Sequence, residues 1–180
     1  STYNGDKYLA EQLDSILAQT GVSVSLFVRD DGSTDGTRAI LAEYAETHGN
    51  VSVDFAQNVG VGNSFMNALY AVPDTFDYYA FADQDDIWLE NKLIEAITLL
   101  QSSGKALYAS NQENVDKDGN SLGMRYGDDA DIHLTPVSII SNNTVAGCTF
   151  VFTRALYGRL TAAECRPTAE LLKNRIHDVW

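Results

Sequence analysis

Val22-Ser23-Val24-Ser25-Leu26-Phe27-Val28-Arg29-Asp30-Asp31-Gly32-Ser33-Thr34-Asp35-Gly36 is the stretch on which the fold turns. Its first half alternates: Val24, Leu26 and Val28 share one face and Phe27 takes the other, which predicts a strand over Val22–Val28. Its second half, Asp30 to Gly36, is a run of turn formers and helix caps, and the periodic residues Ala39, Ile40 and Tyr44 beyond it predict a helix. Strand, acidic turn, helix is the repeating unit of a parallel α/β sheet.

The same order recurs on both sides. Upstream, Asp6 to Gln19 has helical spacing through Leu9, Leu13, Ile16 and Leu17. Downstream come a strand over Val51–Phe55, a helix over Asn63–Ala71 and a strand over Asp77–Ala82. An amphipathic helix over Leu89–Leu100 follows, with Leu89, Leu93, Ile94, Ile97 and Leu100 on its buried face, and then a strand over Lys105–Ser110. Beyond Ser110 the regularity breaks. Val115 to Leu122 reads as a hairpin turn, and an irregular stretch with Asp128, Asp129 and Asp131 leads to a strand over Cys148–Thr153 and a helix over Arg154–Leu160. The expectation is an α/β fold, a mixed but mainly parallel sheet with helices on both faces, in one domain over residues 1–180.

A chain of 180 residues is long enough to bury a self-sufficient core. Twelve Lys and Arg against 25 Asp and Glu leave a net charge of −13, a field that argues against binding nucleic-acid backbones or anionic membranes directly. An anionic small molecule stays compatible with that charge when a divalent cation mediates. Cys148 and Cys165 form no Cys-x-x-Cys pair, so a reducing compartment, the cytoplasm, is expected. No apolar run approaches the ~18 residues of a membrane span. Loop residues open the chain at Ser1, and apolar residues still accumulate at Ile176-His177-Asp178-Val179-Trp180, so truncation at both ends is expected.

The chemistry gathers in two acidic loops. Asp30-Asp31 closes one predicted strand and Asp83-Gln84-Asp85-Asp86 another, and ligands of open α/β sheets bind beyond such carboxyl ends. Crowded carboxylates repel, and solvent, hydrogen-bond donors or a cation must offset that cost. The oxygen-rich set suits Mg²⁺ or Mn²⁺ shared with a substrate phosphate. Taken alone, Asp30-Asp31 reads more often as a turn and helix cap than as a site, and it is the two clusters together, at successive sheet ends, that favour a site. Other motifs fail on their spacing. Arg29 stands where an Asp-x-Asp-Gly-Thr phosphatase needs its nucleophile, and Gly60-Val61-Gly62 lacks the third glycine of a dinucleotide loop. Asp116-Lys117-Asp118-Gly119-Asn120 imitates a calcium loop, but Gly119 falls at its fourth position and Gly127 at its twelfth. His48, His133 and His177 lack metal-site spacing.

Ser1-Thr2-Tyr3-Asn4-Gly5, Val28 to Thr37, Phe81-Ala82-Asp83-Gln84-Asp85-Asp86-Ile87-Trp88 and His177-Asp178-Val179-Trp180 together resemble family 2 glycosyltransferases of the GT-A fold. The Asp-Gln-Asp-Asp-Ile-Trp form and the His-Asp-x-Trp ending are most similar to bacterial rhamnosyltransferases of polysaccharide and O-antigen assembly. The resemblance implies that Thr2 and Tyr3 grip the nucleotide and that Asp31 bonds the pyrimidine base, with Asn58 and Gly60 in a further donor-side loop. It places Asp83 near the ribose and Asp85 on an Mn²⁺ or Mg²⁺ bridging the diphosphate. It puts Gly147, Cys148 and Thr149 on the acceptor side, Asp178 as catalytic base, and His177 beside it as an orienting or diphosphate-contacting residue.

The implied donor is dTDP-rhamnose or a UDP-sugar, the acceptor a glycan or lipid-linked saccharide, and the place the inner face of the membrane, held peripherally through segments outside this stretch. Two other classes fit the residues less fully. A non-catalytic nucleotide-sugar or glycan-binding domain would bind without turnover. A nucleotidyltransferase would carry a Gly-rich basic phosphate loop near its start, and these residues contain none.

Overall fold

The computed structural model describes residues 1–127 and 145–173. Two strand groups with helices on both faces form the body. Helix α1 (Leu9–Leu17) precedes β1 (Leu26–Asp30), α2 (Thr37–Thr47), β2 (Val51–Phe55), α3 (Val61–Ala71) and β3 (Tyr78–Ala80). Then come α4 (Lys92–Ser103), β4 (Leu107–Tyr108), the hairpin β5 (Glu113–Val115) and β6 (Ser121–Met124), and β7 (Val151–Thr153). Helices α5 (Arg154–Thr161) and α6 (Ala169–Leu172) complete the described part.

Strands β1 and β2 pair in parallel, Leu26 opposite Val51 through Asp30 opposite Phe55. Thr2 adds a parallel bridge to Asp30 on the other edge of β1. The second group has the order β3-β7-β4, with β7 antiparallel to both neighbours, so β3 and β4 run the same way and the sheet is mixed. The reversal of β7 is what no strand–helix alternation announces. It brings the chain just before Val151 to the carboxyl end of β3, where Ala80 pairs with Val151.

Three apolar clusters hold the layers. Leu9, Leu13, Val28 and Leu41 join α1, β1 and α2. Met66, Leu69, Tyr79, Phe152, Tyr157 and Leu172 join α3, β3, β7, α5 and α6, with the Tyr79 and Tyr157 rings stacked at 4.0 Å. Ala96 and Leu100 of α4 pack on Val151. Val151 and Phe152 are adjacent in one strand, so their side chains leave opposite faces and each meets its own helix layer. Each is 1% exposed, worth roughly 1.5–3 kcal/mol in burial.

Several boundaries differ from the sequence expectation. The strand expected from Val22 begins at Leu26, where its partner Val51 begins, and the Val24 carbonyl is taken by Asn50 Nδ2 instead. Helix α4 starts at Lys92, and Leu89, expected on its buried face, is 76% exposed. The reason is tertiary: Gln19 donates from Nε2 to the Leu89 carbonyl and accepts the Leu93 amide on Oε1, which fixes residues 89–91 as a loop and starts the helix after them. The strand expected over Lys105–Ser110 is paired only at Leu107–Tyr108. The strand expected from Cys148 starts at Val151, because Gly147–Thr149 forms a single 3₁₀ turn. The Val115–Leu122 turn is a hairpin as expected, built on Asp116 Oδ1 accepting the amides of Asp118 and Asn120. Asp128, Asp129 and Asp131 lie outside the described residues.

Between the two strand groups lies a gap. Among the described residues β1 is paired on that side only by Thr2, and β3 has no partner there. Leu26, Phe27, Tyr78, Tyr79 and Ala80 line a cavity of about 840 Å³, together with Trp88, whose buried indole Nε1 has no hydrogen-bond partner among the described residues.

Candidate functional site

The site starts where β1 ends. Gly32 sits at φ +84°, and a Cβ there would lie 2.9 Å from the Asn58 amide nitrogen, so only glycine lets the turn after Asp31 lie against the Asn58 loop. Asp30 and Asp31 then part company. Asp30 is fully buried and spends its carboxylate on the turn: both oxygens receive the Ser33 amide, and Oδ2 receives Arg38 Nε at 2.6 Å. That is the turn-building alternative, realised for one aspartate of the pair.

Asp31 instead faces the loop before α3. Its Oδ1 accepts Arg29 Nη1 at 2.6 Å and the Val59 amide at 2.9 Å, and Oδ2 accepts the Gly60 amide at 3.0 Å. A carboxylate at a helix N-terminus satisfies orphan amides and meets the positive end of the helix dipole. Each carboxylate oxygen has about two acceptor sites, and among the described residues Oδ2 receives the Gly60 amide. Arg29 is buried and also donates to Ser64 Oγ at 2.7 Å and to the Gln57 carbonyl. Asn58 is exposed, with Oδ1 on the Gly60 amide at 3.2 Å, and Gly60 has φ +85°.

Thr2 is buried against this turn, its amide donating to the Arg29 carbonyl and its carbonyl accepting the Asp31 amide. Tyr3 beside it is 47% exposed. The expected nucleotide residues Thr2, Tyr3, Asp31, Asn58 and Gly60 therefore meet at one edge.

The acidic loop after β3 reaches the same edge. Gln84 bonds to Thr2 and Tyr3, while ligand atoms of Asp83, Asp86 and Cys148 lie within 4.8 Å of one another. Asp85 is outside that group and exposed at the loop. Burial, with the charge of Asp86 second, pushes the Asp83 carboxyl up to about 6. Lys92 follows from the first turn of α4. Its ammonium stands 3.8 Å above the Trp88 ring and donates to the Cys148 carbonyl at 2.9 Å, and burial pushes it down to about 8.

Carboxylate oxygens beside a few half-buried groups fit a hard divalent cation. The Cys148 sulfur is a soft donor that suits Zn²⁺ or Cu⁺ better than Mg²⁺ or Mn²⁺, so the carboxylates are the donors that fit. Thr149 Oγ1 is spent on the Ala146 carbonyl, closing the 3₁₀ turn that holds Gly147 and Cys148 against the loop. His177 and Asp178 lie outside the described residues.

Sequence reading missed Arg29, Gln84 and Lys92. Arg29 is the inward-facing last cation of a strand, and Lys92 comes four residues after Trp88 at a helix start; those are the only local signals either carried. Gln84 was visible as the one neutral member of an acidic run.

Residues 1–160 match the family model for glycosyl transferase family 2. The dTDP-rhamnosyl transferase RfbG of Shigella flexneri is 36% identical over 116 residues, 62% of this chain and 40% of that protein. A Bacillus subtilis (strain 168) protein provisionally named as the teichuronic acid biosynthesis glycosyltransferase TuaG is 28% identical over 176 residues, 94% of this chain and 66% of its own length. Among solved structures, S. aureus TarS 1-349 in complex with UDP superposes with a TM-score of 0.70 at 22% identity, covering 96% of this chain and 50% of that one. The mannosyltransferase PcManGT from Pyrobaculum calidifontis, in complex with GDP-Man and Mn2+, gives 0.61 at 22%, covering 88% and 44%. These two likenesses establish a shared fold, and the chain spans about half or less of TarS 1-349, PcManGT and RfbG. With its acidic loops and the edge where they meet, and with the family model matched over most of its length, the chain belongs to glycosyl transferase family 2.

Proposed function

We propose that this chain is the donor-binding core of an inverting glycosyltransferase that moves a sugar, rhamnose first and UDP-linked sugars next, from a nucleoside diphosphate to a glycan or lipid-linked hydroxyl in bacterial surface-polysaccharide synthesis. The observation that carries the reading is the convergence of the Thr2–Tyr3 loop, the Asp31 turn and the Asp83–Asp86 loop at one sheet edge, with the Gly147–Thr149 turn against it. Similarity to RfbG, whose name gives a dTDP-rhamnosyl donor, favours that sugar.

In this reading Thr2 and Tyr3 hold the nucleotide, Asp31 Oδ2 takes a base N–H, and Asn58 and Gly60 flank it. Asp83 meets the ribose and Asp85 holds Mn²⁺ or Mg²⁺. When bound, such an ion supplies charge neutralisation for the departing diphosphate. Asp178 takes the acceptor hydroxyl proton as the new C–O bond forms and the sugar–phosphate bond breaks, with the electron pair leaving on the diphosphate. One displacement with one base inverts the anomeric centre. His177 orients that base or contacts the diphosphate, and Gly147 to Thr149 border the acceptor. The site sits in the cytoplasm at the membrane's inner face.

Titration calorimetry of the full-length protein with dTDP and UDP, with and without Mn²⁺, tests the reading. Micromolar binding strengthened by the ion is expected. Absence of binding by any nucleoside diphosphate would sink it.

A further inference from the structure

Gln84 stands between the two aspartates assigned above to ribose and metal, yet its carboxamide is bonded to the other loop. Its Oε1 accepts Thr2 Oγ1 at 2.6 Å and the Tyr3 amide at 2.8 Å, while Nε2 donates to the Tyr3 carbonyl at 3.2 Å. Gripping both polar groups of one residue is what a neighbouring strand does. A carboxamide offers donor and acceptor together in one plane for this at any pH near neutral. The clasp is also tightly seated: a Cβ on Gly5 would fall 2.6 Å from Gln84 Oε1. Thr2 in turn exchanges backbone bonds with Arg29 and Asp31. A continuous path therefore runs from the acidic loop through Gln84 and Thr2 to the Asp31 turn.

The geometry points to Gln84 as a positioning residue that couples the two halves of the donor site, the cation and diphosphate end at the acidic loop and the nucleoside end at Thr2, Tyr3 and Asp31. What each half binds rests on the function proposed above. A cation held by Asp85 fixes the loop that carries Gln84, and through it the Tyr3 peptide against which the nucleoside docks. Each ligand then strengthens the other, by the same factor in both directions. Glutamate in place of Gln84 keeps the acceptor, loses the donor to the Tyr3 carbonyl and adds a fourth carboxylate to the loop.

Amide hydrogen exchange on the full-length protein, with and without Mn²⁺ and without nucleotide, separates the possibilities. In the wild type the ion alone is expected to slow exchange in the acidic loop and at the Tyr3 amide. In Gln84→Ala it is expected to slow the acidic loop only, with β1 and β2 as protected as before. Slowing of the acidic loop without Tyr3 in the wild type overturns the coupling and leaves the metal reading intact. No slowing of the acidic loop overturns the metal reading, and the coupling falls with it. Calorimetry supplies the magnitude: the gain in UDP or dTDP affinity on adding Mn²⁺ should shrink about tenfold in Gln84→Ala, the size expected for the lost hydrogen bonds, and by less in Gln84→Glu, which keeps the acceptor. An unchanged gain in both variants overturns the proposal.

Discussion

Two neighbouring aspartates show how differently identical side chains are used. Asp30 builds the turn with Ser33 and Arg38, and Asp31, one residue on, is held by Arg29 at the head of α3. The side chains of Arg29 and Asp31 are 6% and 4% exposed, so neither charge has water to fall back on. Removing one partner of such a pair leaves the other buried and uncompensated, and Arg29→Ala should cost about 3–5 kcal/mol in urea unfolding. Asp83 carries the opposite kind of strain. Its folded value of about 6 lies above its ordinary 3.8, so the folded state holds the proton more tightly, and stability is lost as the pH rises from 3.8 to about 6 and stays lost above that. Asp83→Asn should therefore stabilise the metal-free protein by about 1–2 kcal/mol at pH 7.5. That gain should fade as the pH falls from 6 toward 4, as chemical denaturation at the two ends of the range would show. A site that holds a costly carboxylate trades stability for binding.

Elements here owe their ends to residues far away in sequence. Helix α4 has no side-chain cap of its own at Asn91; Gln19, from the end of α1, accepts the Leu93 amide. Losing this remote cap in Gln19→Ala should cost about 1 kcal/mol and show first as faster amide exchange over Lys92–Ala96. The loop that leads into α3 is likewise held from a distance, by Asp31 accepting the Val59 and Gly60 amides. Periodicity located both helices, because burial of one face imposes a 3.6-residue repeat on the residues themselves. It misplaced the start of α4 because Leu89 is apolar and in register with the buried stripe, while its carbonyl is claimed by Gln19 Nε2.

At the scale of the whole molecule, the reversed strand β7 assembles the site. Running antiparallel between β3 and β4, it delivers Cys148 to the acidic loop and lets α4 offer Lys92 to the Cys148 carbonyl. The proposed division of labour across this edge predicts distinct phenotypes. Asp178→Asn should keep nucleotide binding and lose transfer by roughly 10²–10⁴-fold. Asp85→Ala should lose the Mn²⁺-dependent part of binding. Equal loss of binding in both, measured by calorimetry beside a transfer assay, would refute the division.

The sequence by itself determined the α/β class, helices α1 to α5, the hairpin at Asp116 and the position of both acidic loops at strand ends, since each follows from local periodicity and turn chemistry. The motifs also carried the family, which the match over residues 1–160 bears out. Tertiary structure decided which aspartate of the pair turns structural, that Gln84 ties two loops together, that Arg29 is a buried and Lys92 a half-buried cation beside the site, and which way β7 runs. Those outcomes depend on contacts between residues as much as 82 positions apart, and no local pattern encodes a partner at that distance.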